Sequence, residues 1–273
     1  MELIEILKVV VLGIVEGVTE WLPISSTGHM LLVDEFIHMN VSESFKDMFF
    51  VVIQLGAILA VVMLFWDKMW PFQTKDKSKP VICKDVFSMW FKVVVACIPG
   101  AIVTLLFDDY IEAHLHTPTV IALALVVYGV AFIVIENWNK NRTPKVLTLE
   151  DISYKTAFII GLFQVLSIIP GTSRSGSTII GALTIGVSRV AAAEFTFFLA
   201  VPVMIGLSFI KILKFGFSFT SVELMTLAIG CVVAFLVSVL VIKFLMSYIK
   251  KRDFKIFGWY RIVLGVILLL YFM

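Results

Sequence analysis

The stretch Glu16-Gly17-Val18-Thr19-Glu20-Trp21-Leu22-Pro23-Ile24-Ser25-Ser26-Thr27-Gly28-His29 decides how the rest of the chain is read. It has a partner in Gln164-Val165-Leu166-Ser167-Ile168-Ile169-Pro170-Gly171-Thr172-Ser173-Arg174-Ser175-Gly176-Ser177. Each is an apolar segment carrying a polar residue, then a proline break, then a Ser/Thr-Gly turn that opens a second apolar segment. Gly13 and Gly161, Glu16 and Gln164, and Gly28 and Gly176 are each 148 residues apart. The chain therefore carries a weak internal repeat, with halves of about 1–137 and 150–273. Its centre is a polar, hydroxyl-rich turn in very hydrophobic surroundings.

Around the first turn, residues 4–22 read as helix. Glu5, Lys8, Glu16 and Glu20 make it a poor membrane span, which needs about 20 mainly apolar residues. Pro23 removes a backbone donor and ends the helix. Ser25, Ser26 and Thr27 are N-cap candidates for a short helix near 27–37. The same pattern predicts a second helix pair over 154–187. Two short helices joined at a Pro-Ser loop at membrane depth read as a re-entrant hairpin. Such a loop is tolerated only where it is buried in protein or lines a wet cavity.

The composition agrees. The 273 residues are 60% hydrophobic and 15% charged, with mean hydropathy +1.03, against about 45–50% apolar in soluble domains. Six spans are expected, about 46–66, 86–107, 118–137, 190–210, 224–246 and 256–273. The fold class expected is an all-α polytopic membrane protein, an inverted-topology repeat with six transmembrane helices and two re-entrant hairpins in one integral membrane domain. Basic residues crowd 67–85 (Lys68, Lys75, Lys77, Lys79, Lys84), 138–155 (Lys140, Arg142, Lys145, Lys155) and 243–255 (Lys243, Lys250, Lys251, Arg252, Lys255). The segment 108–117 holds Asp108, Asp109 and Glu112 with no Lys or Arg. The positive-inside rule puts the basic segments in the cytoplasm and the acidic one outside. Both termini then lie outside, against which Lys211 and Lys214 count mildly. The two hairpins enter from opposite faces and meet near the midplane, where inverted repeats place their sites. The net charge of +2 is too small to suggest nucleic acid. Cys83, Cys97 and Cys231 have no metal-ligand spacing. No cleavable leader is read at the acidic N-terminus.

Glu16 and Glu20 are four apart and share a helical face. Two carboxylates in low dielectric repel unless they share a proton or a cation, and Mg²⁺ often takes one or two carboxylates plus substrate phosphates. Interfacial glutamates facing headgroups are the plainer alternative. Ser25, Ser26, Thr27 and His29 follow at once. A hydroxyl beside a carboxylate can be activated to attack phosphorus, and His29 can serve as nucleophile, acid or base. Simple capping is again the plainer reading. Arg174, between Ser173 and Ser175, needs an anion at membrane depth. Its fork suits phosphate, and it could otherwise pair with Glu16 or Glu20. Gln54 is a lone polar group in the first span, lining the site or bonding between helices. Ser188-Arg189 and Glu194 read as a cap and an ion pair. His114 and His116 read as solvated.

The Glu-Gly-x-Thr-Glu-x-Leu-Pro-x-Ser-Ser-Thr-Gly-His stretch at 16–29 and Pro-Gly-x-Ser-Arg-Ser-Gly at 170–176 together resemble the bacterial undecaprenyl-diphosphate phosphatase (bacitracin-resistance) family, over essentially the whole chain. The resemblance implies removal of the terminal phosphate from undecaprenyl diphosphate, recycling the lipid carrier for peptidoglycan. It implies a divalent cation, Mg²⁺ or Ca²⁺, and a bacterial plasma-membrane site open to the extracytoplasmic side. By motif position it assigns Glu16 and Glu20 to metal or base work, Ser26 and His29 to nucleophile or acid–base roles, and Arg174 to the diphosphate. Ser25, Thr27, Gln54, Ser173 and Ser175 are expected to line the substrate. The partners expected are the polyprenyl diphosphate and membrane lipid, with homo-oligomerisation left open.

From the residues alone, a transporter or flippase of a phosphorylated lipid or other anion shares every feature except the need for a nucleophile-competent cluster. A structural scaffold leaves Arg174 and both glutamates unexplained.

Overall fold

The computed structural model describes residues 2–73 and 81–272. Lys75, Lys77 and Lys79 lie outside the described residues, as do the side chains of Asp108, Asp109 and Glu112. Among the described residues the fold is all-α. The first half contains α1 (Leu3–Thr19), α2 (Ser26–Phe36), α3 (Glu43–Val52), α4 (Gln54–Leu64), the single turn α5 (Trp66–Met69), α6 (Lys84–Leu115) and α7 (Pro118–Asn139). The second contains α8 (Tyr154–Val165), a 3₁₀ turn (Leu166–Ile168), α9 (Arg174–Thr184), α10 (Arg189–Phe215), α11 (Ser221–Ile249) and α12 (Lys255–Phe272).

Six helical stretches are long and apolar enough to cross a membrane: Glu43–Leu64, Lys84–Phe107, Pro118–Asn139, Arg189–Phe215, Ser221–Ile249 and Lys255–Phe272. They match the six expected spans to within a few residues at each end. Leu105, Leu106, Val127, Val134, Leu236, Leu240 and Leu270 point outward from them. So large an exposed apolar surface belongs in hydrocarbon, not water.

Two details differ from the sequence reading. The first span is two helices in line, α3 and α4, interrupted at Ile53. Carbonyls near the interruption are met from other helices: Ser208 Oγ donates to Val51 O at 3.2 Å. The acidic segment 108–117 is mostly helix, because α6 runs to Leu115. No Gly or Pro lies between Gly100 and Pro118 to stop it. Pro118 then opens α7 at a position where its missing N–H costs nothing, with Thr117 Oγ1 accepting from Val120 N.

The core is built around α10, buried without interruption from Ala191 to Val201, and α9, buried from Ser175 to Leu183. Small and apolar residues dominate both buried stretches, which lets them pack in an interior. The first helix of each short pair packs at backbone distance on a long helix from the other half. A Cβ at Gly13 of α1 would stand 3.0 Å from the Gly230 carbonyl of α11. One at Gly161 of α8 would stand 2.4 Å from the Ala96 carbonyl of α6. Small residues permit such approach between membrane helices. The non-helical backbone at both breaks is enclosed, with Pro23, Ile24, Ser25, Pro170, Gly171 and Thr172 all buried. That enclosure is the condition for irregular backbone at membrane depth.

The expected cap at Ser188 is present, its Oγ accepting from Ala191 N at 3.2 Å. The ion pair is different. Residues five apart on a helix do not face one another, so Arg189 and Glu194 find separate partners. Arg189 forks onto Glu136 of α7, and Lys68 donates to Glu194 at 2.8 Å.

Candidate functional site

The site begins with two strained serines. Ser25 (φ 75, ψ 99) and Ser173 (φ 69, ψ 121) are the N-caps of α2 and α9. They are the non-glycine residues with positive φ among the described residues. Such backbone costs roughly 1–3 kcal/mol per residue and persists only where the surroundings enforce it. Ser25 Oγ accepts from Gly28 N at 3.3 Å and Ser173 Oγ from Gly176 N at 3.1 Å. Each cap therefore sets the first helical residue in one direction. Those first residues are Ser26 and Arg174, again 148 apart.

Both reach the same carboxylate. Ser26 Oγ donates to Glu20 Oε2 at 2.8 Å, and Arg174 Nη2 donates to Glu20 Oε1 at 2.8 Å. Ser175 Oγ donates to the Glu20 carbonyl at 3.3 Å and lies 3.2 Å from Ser173 Oγ. Glu16, one turn back on α1, shares a helical face with Glu20. Arg174 Nη2 also touches Met204 Sδ of α10 at 3.7 Å. Glu16 and Glu20 are almost wholly enclosed, at 1% and 5% exposure.

Two buried polar atoms in this cluster have no hydrogen-bond partner, Glu16 Oε1 and Arg174 Nη1. A buried polar atom left unsatisfied costs about 1–3 kcal/mol, and a charged one more. Thr172 Oγ1 and Gln164 Oε1 are unpartnered in the same way. An unpaired guanidinium N–H accommodates a phosphoryl oxygen, and an unpaired carboxylate oxygen accommodates a cation. Among the described residues no three His, Cys, Asp or Glu side chains form a metal cage. A cation here would rest on Glu16 and Glu20 with oxygens from elsewhere, a donor set that suits Mg²⁺ better than a softer ion.

The structure does not gather every residue singled out from the sequence. His29 is turned toward α12: its Nδ1 lies 2.7 Å from the Ser25 carbonyl and its Nε2 lies 2.7 Å from Tyr260 Oη. Thr27 is exposed. Gln54 opens α4 beside the Ile53 interruption and, among the described residues, makes no hydrogen bond to the cluster.

Two residues escaped the sequence reading. Tyr260 holds His29, and Arg261 next to it is 0% exposed and bonds both break segments. The signal for Arg261 was available. It is an ionisable residue inside an apolar span, which is costly without a purpose. Tyr260 carried no such signal, since tyrosine near a span end is ordinary.

Comparison with known proteins agrees with the motifs. The family model described as bacitracin resistance protein BacA matches residues 9–267. An undecaprenyl-diphosphatase of Enterococcus faecalis is 74% identical over 270 residues, covering 99% of this chain and 98% of that protein. Proteins of the same name from Lachnoclostridium phytofermentans and Desulfitobacterium hafniense are each 62% identical over 273 residues. They cover all of this chain and 99% and 98% of their own lengths. With matching motifs, six membrane-length helices and identity along its whole length, the chain belongs to the bacitracin resistance protein BacA family.

Proposed function

We propose that this protein removes the terminal phosphate from undecaprenyl diphosphate, yielding undecaprenyl phosphate and inorganic phosphate. It thereby recycles the carrier for peptidoglycan synthesis and raises bacitracin resistance. The observation that carries the reading is Glu20, whose two carboxylate oxygens accept from Ser26 of one short helix pair and Arg174 of the other. The names of the full-length relatives support the same reaction.

The geometry favours Ser26 over His29 as nucleophile. Ser26 Oγ already donates its proton toward Glu20, whereas both ring nitrogens of His29 are engaged elsewhere. Glu20 takes the Ser26 proton as Oγ attacks the terminal phosphorus. The bridging P–O bond breaks, and its electron pair leaves with the lipid monophosphate, which receives the proton. Arg174 binds the phosphoryl oxygens through Nη1, and its charge counters the negative charge gathered on them. Glu20 then takes a proton from water attacking the phosphoserine, the Oγ–P bond breaks to release phosphate, and Glu20 returns the proton to Ser26 Oγ. Ser175 fixes the Glu20 backbone against α9. Glu16 and Glu20 would hold the divalent cation, which when bound neutralises diphosphate charge as a Lewis acid.

The charge distribution supports a plasma-membrane protein with its basic segments inside. The short pairs α1–α2 and α8–α9 then enter as re-entrant hairpins from opposite faces, and the site opens on the extracytoplasmic side. The test is phosphate release from lipid diphosphate by purified protein in detergent, where no transbilayer movement exists. Stoichiometric phosphate and lipid monophosphate are expected. Folded protein that binds the lipid without releasing phosphate would overturn the reading in favour of transport.

A further inference from the structure

Arg261 lies within the last span, fully enclosed, and among the described residues no carboxylate pairs with it. Its fork donates instead to three backbone carbonyls. Nη1 reaches Pro23 O at 3.2 Å, and Nη2 reaches Gly171 O at 2.8 Å and Thr172 O at 2.9 Å. Pro23 belongs to the first break and the other two belong to the second. Break segments form no helical ladder, so their carbonyls need other partners, and here those bonds are buried. A guanidinium offers five N–H donors in one plane, so a single side chain serves both breaks.

We propose that Arg261 is a positioning residue that locks the two break segments in register, so that Ser26 and Arg174 meet on Glu20. The bonded carbonyls lie one or two residues before the strained caps Ser25 and Ser173, where backbone held at positive φ needs external restraint. The surroundings are shaped to the guanidinium. A Cβ at Gly176 would stand 3.2 Å from Arg261 Nη1, so glycine leaves the space the fork occupies. The Tyr128 ring faces the guanidinium carbon at 5.7 Å. Lysine keeps the charge but carries its three donors on one nitrogen, so it cannot occupy the separate Nη1 and Nη2 positions from which the fork reaches Pro23 on one side and Gly171 and Thr172 on the other.

The catalytic part of this inference rests on the phosphatase reading, and the structural part does not. Two measurements on the full-length protein in detergent therefore go together. By hydrogen exchange, Arg261→Lys is expected to speed exchange at least about tenfold in both 22–28 and 170–176, while α6 and α10 stay protected. In phosphate release, kcat is expected to fall about a hundredfold with KM within about threefold, because the reacting groups are displaced rather than the lipid lost. If Arg261→Lys does not purify folded, Gly176→Ala, which crowds the same fork, should give the same pattern at smaller size. Unchanged exchange, or loosening of one segment alone, would overturn the clamp. Loosening of both segments with normal kcat would overturn its positioning role. Should the wild type release no phosphate at all, the exchange result still decides whether Arg261 joins the two segments.

Discussion

Tyr260 Oη stands 2.7 Å from His29 Nε2, with the two rings parallel and 5.5 Å apart. His29 Nδ1 lies 2.7 Å from the Ser25 carbonyl, which can only accept. Nδ1 therefore carries the proton, and Nε2 accepts from the tyrosine hydroxyl. The imidazole thus ties the strained cap Ser25 to α12. Tyr260→Phe removes the donor and leaves the ring free to turn. Activity is expected to fall by roughly tenfold, less than the hundredfold or more typical of removing an acid–base group. Steady-state kinetics and the His29 ring resonances by NMR check this. Unaltered ring resonances would show that the hydroxyl does not hold the imidazole.

The attacking group can be identified directly. Acid quenching with labelled lipid diphosphate is expected to trap phosphate on Ser26 in the wild type and in His29→Ala. Ser26→Ala should trap none and lose at least about a hundredfold in rate. Phosphate recovered on His29 would reverse the assignment.

For the cation, chelator is expected to abolish turnover and added Mg²⁺ to restore it. Glu16→Gln keeps the size of the side chain but removes the carboxylate that a cation would bind through the unpartnered oxygen. It should raise the Mg²⁺ concentration needed for half-maximal rate by about tenfold or more, the scale of a lost charged contact. Full activity in chelator would leave the two carboxylates as base and arginine partner.

Stability away from the site rests partly on Glu136. Its side chain is 0% exposed, receives the Arg189 fork and also accepts from Phe254 N at 3.0 Å. Removing one partner of a buried pair typically costs about 3–5 kcal/mol. With the Arg189 side chain 36% exposed, the lower end is expected for Glu136→Ala. Thermal unfolding in detergent measures it. The same melting temperature as wild type would show that Arg189 is satisfied by water.

Membrane orientation is open to labelling. Single cysteines at 142 and 252 in a cysteine-free background should be shielded from an impermeant thiol reagent in whole cells, and one at 116 should react. Strong labelling at 142 with none at 116 would invert the arrangement.

Most of the architecture was legible because bilayer and backbone impose simple demands. Lys84 to Asn139 reads as two spans because two apolar runs are separated by the acidic stretch 108–117. The breaks at Pro23 and Pro170 read as breaks because proline cannot continue a helix. The interruption at Ile53 was not legible, since no proline marks it and the carbonyls there are met by Ser208 and Cys231 from distant helices. The partners of Arg189 and Glu194 were hidden for the same reason. Their spacing excludes each other but does not name Glu136 or Lys68.

The sequence by itself determined the membrane class, the six spans, the two polar turns and the residue types for phosphate chemistry. Those properties depend on local composition and periodicity. Only the tertiary structure decided that Glu20 is the meeting point of Ser26 and Arg174. It also turned His29 to Tyr260, left Thr27 exposed and made Arg261 the common partner of both turns. Each of these is a contact between segments far apart in the chain. Such contacts are set by how whole helices pack, through close approaches such as Gly13 on α11 and Gly161 on α6, which no local pattern encodes.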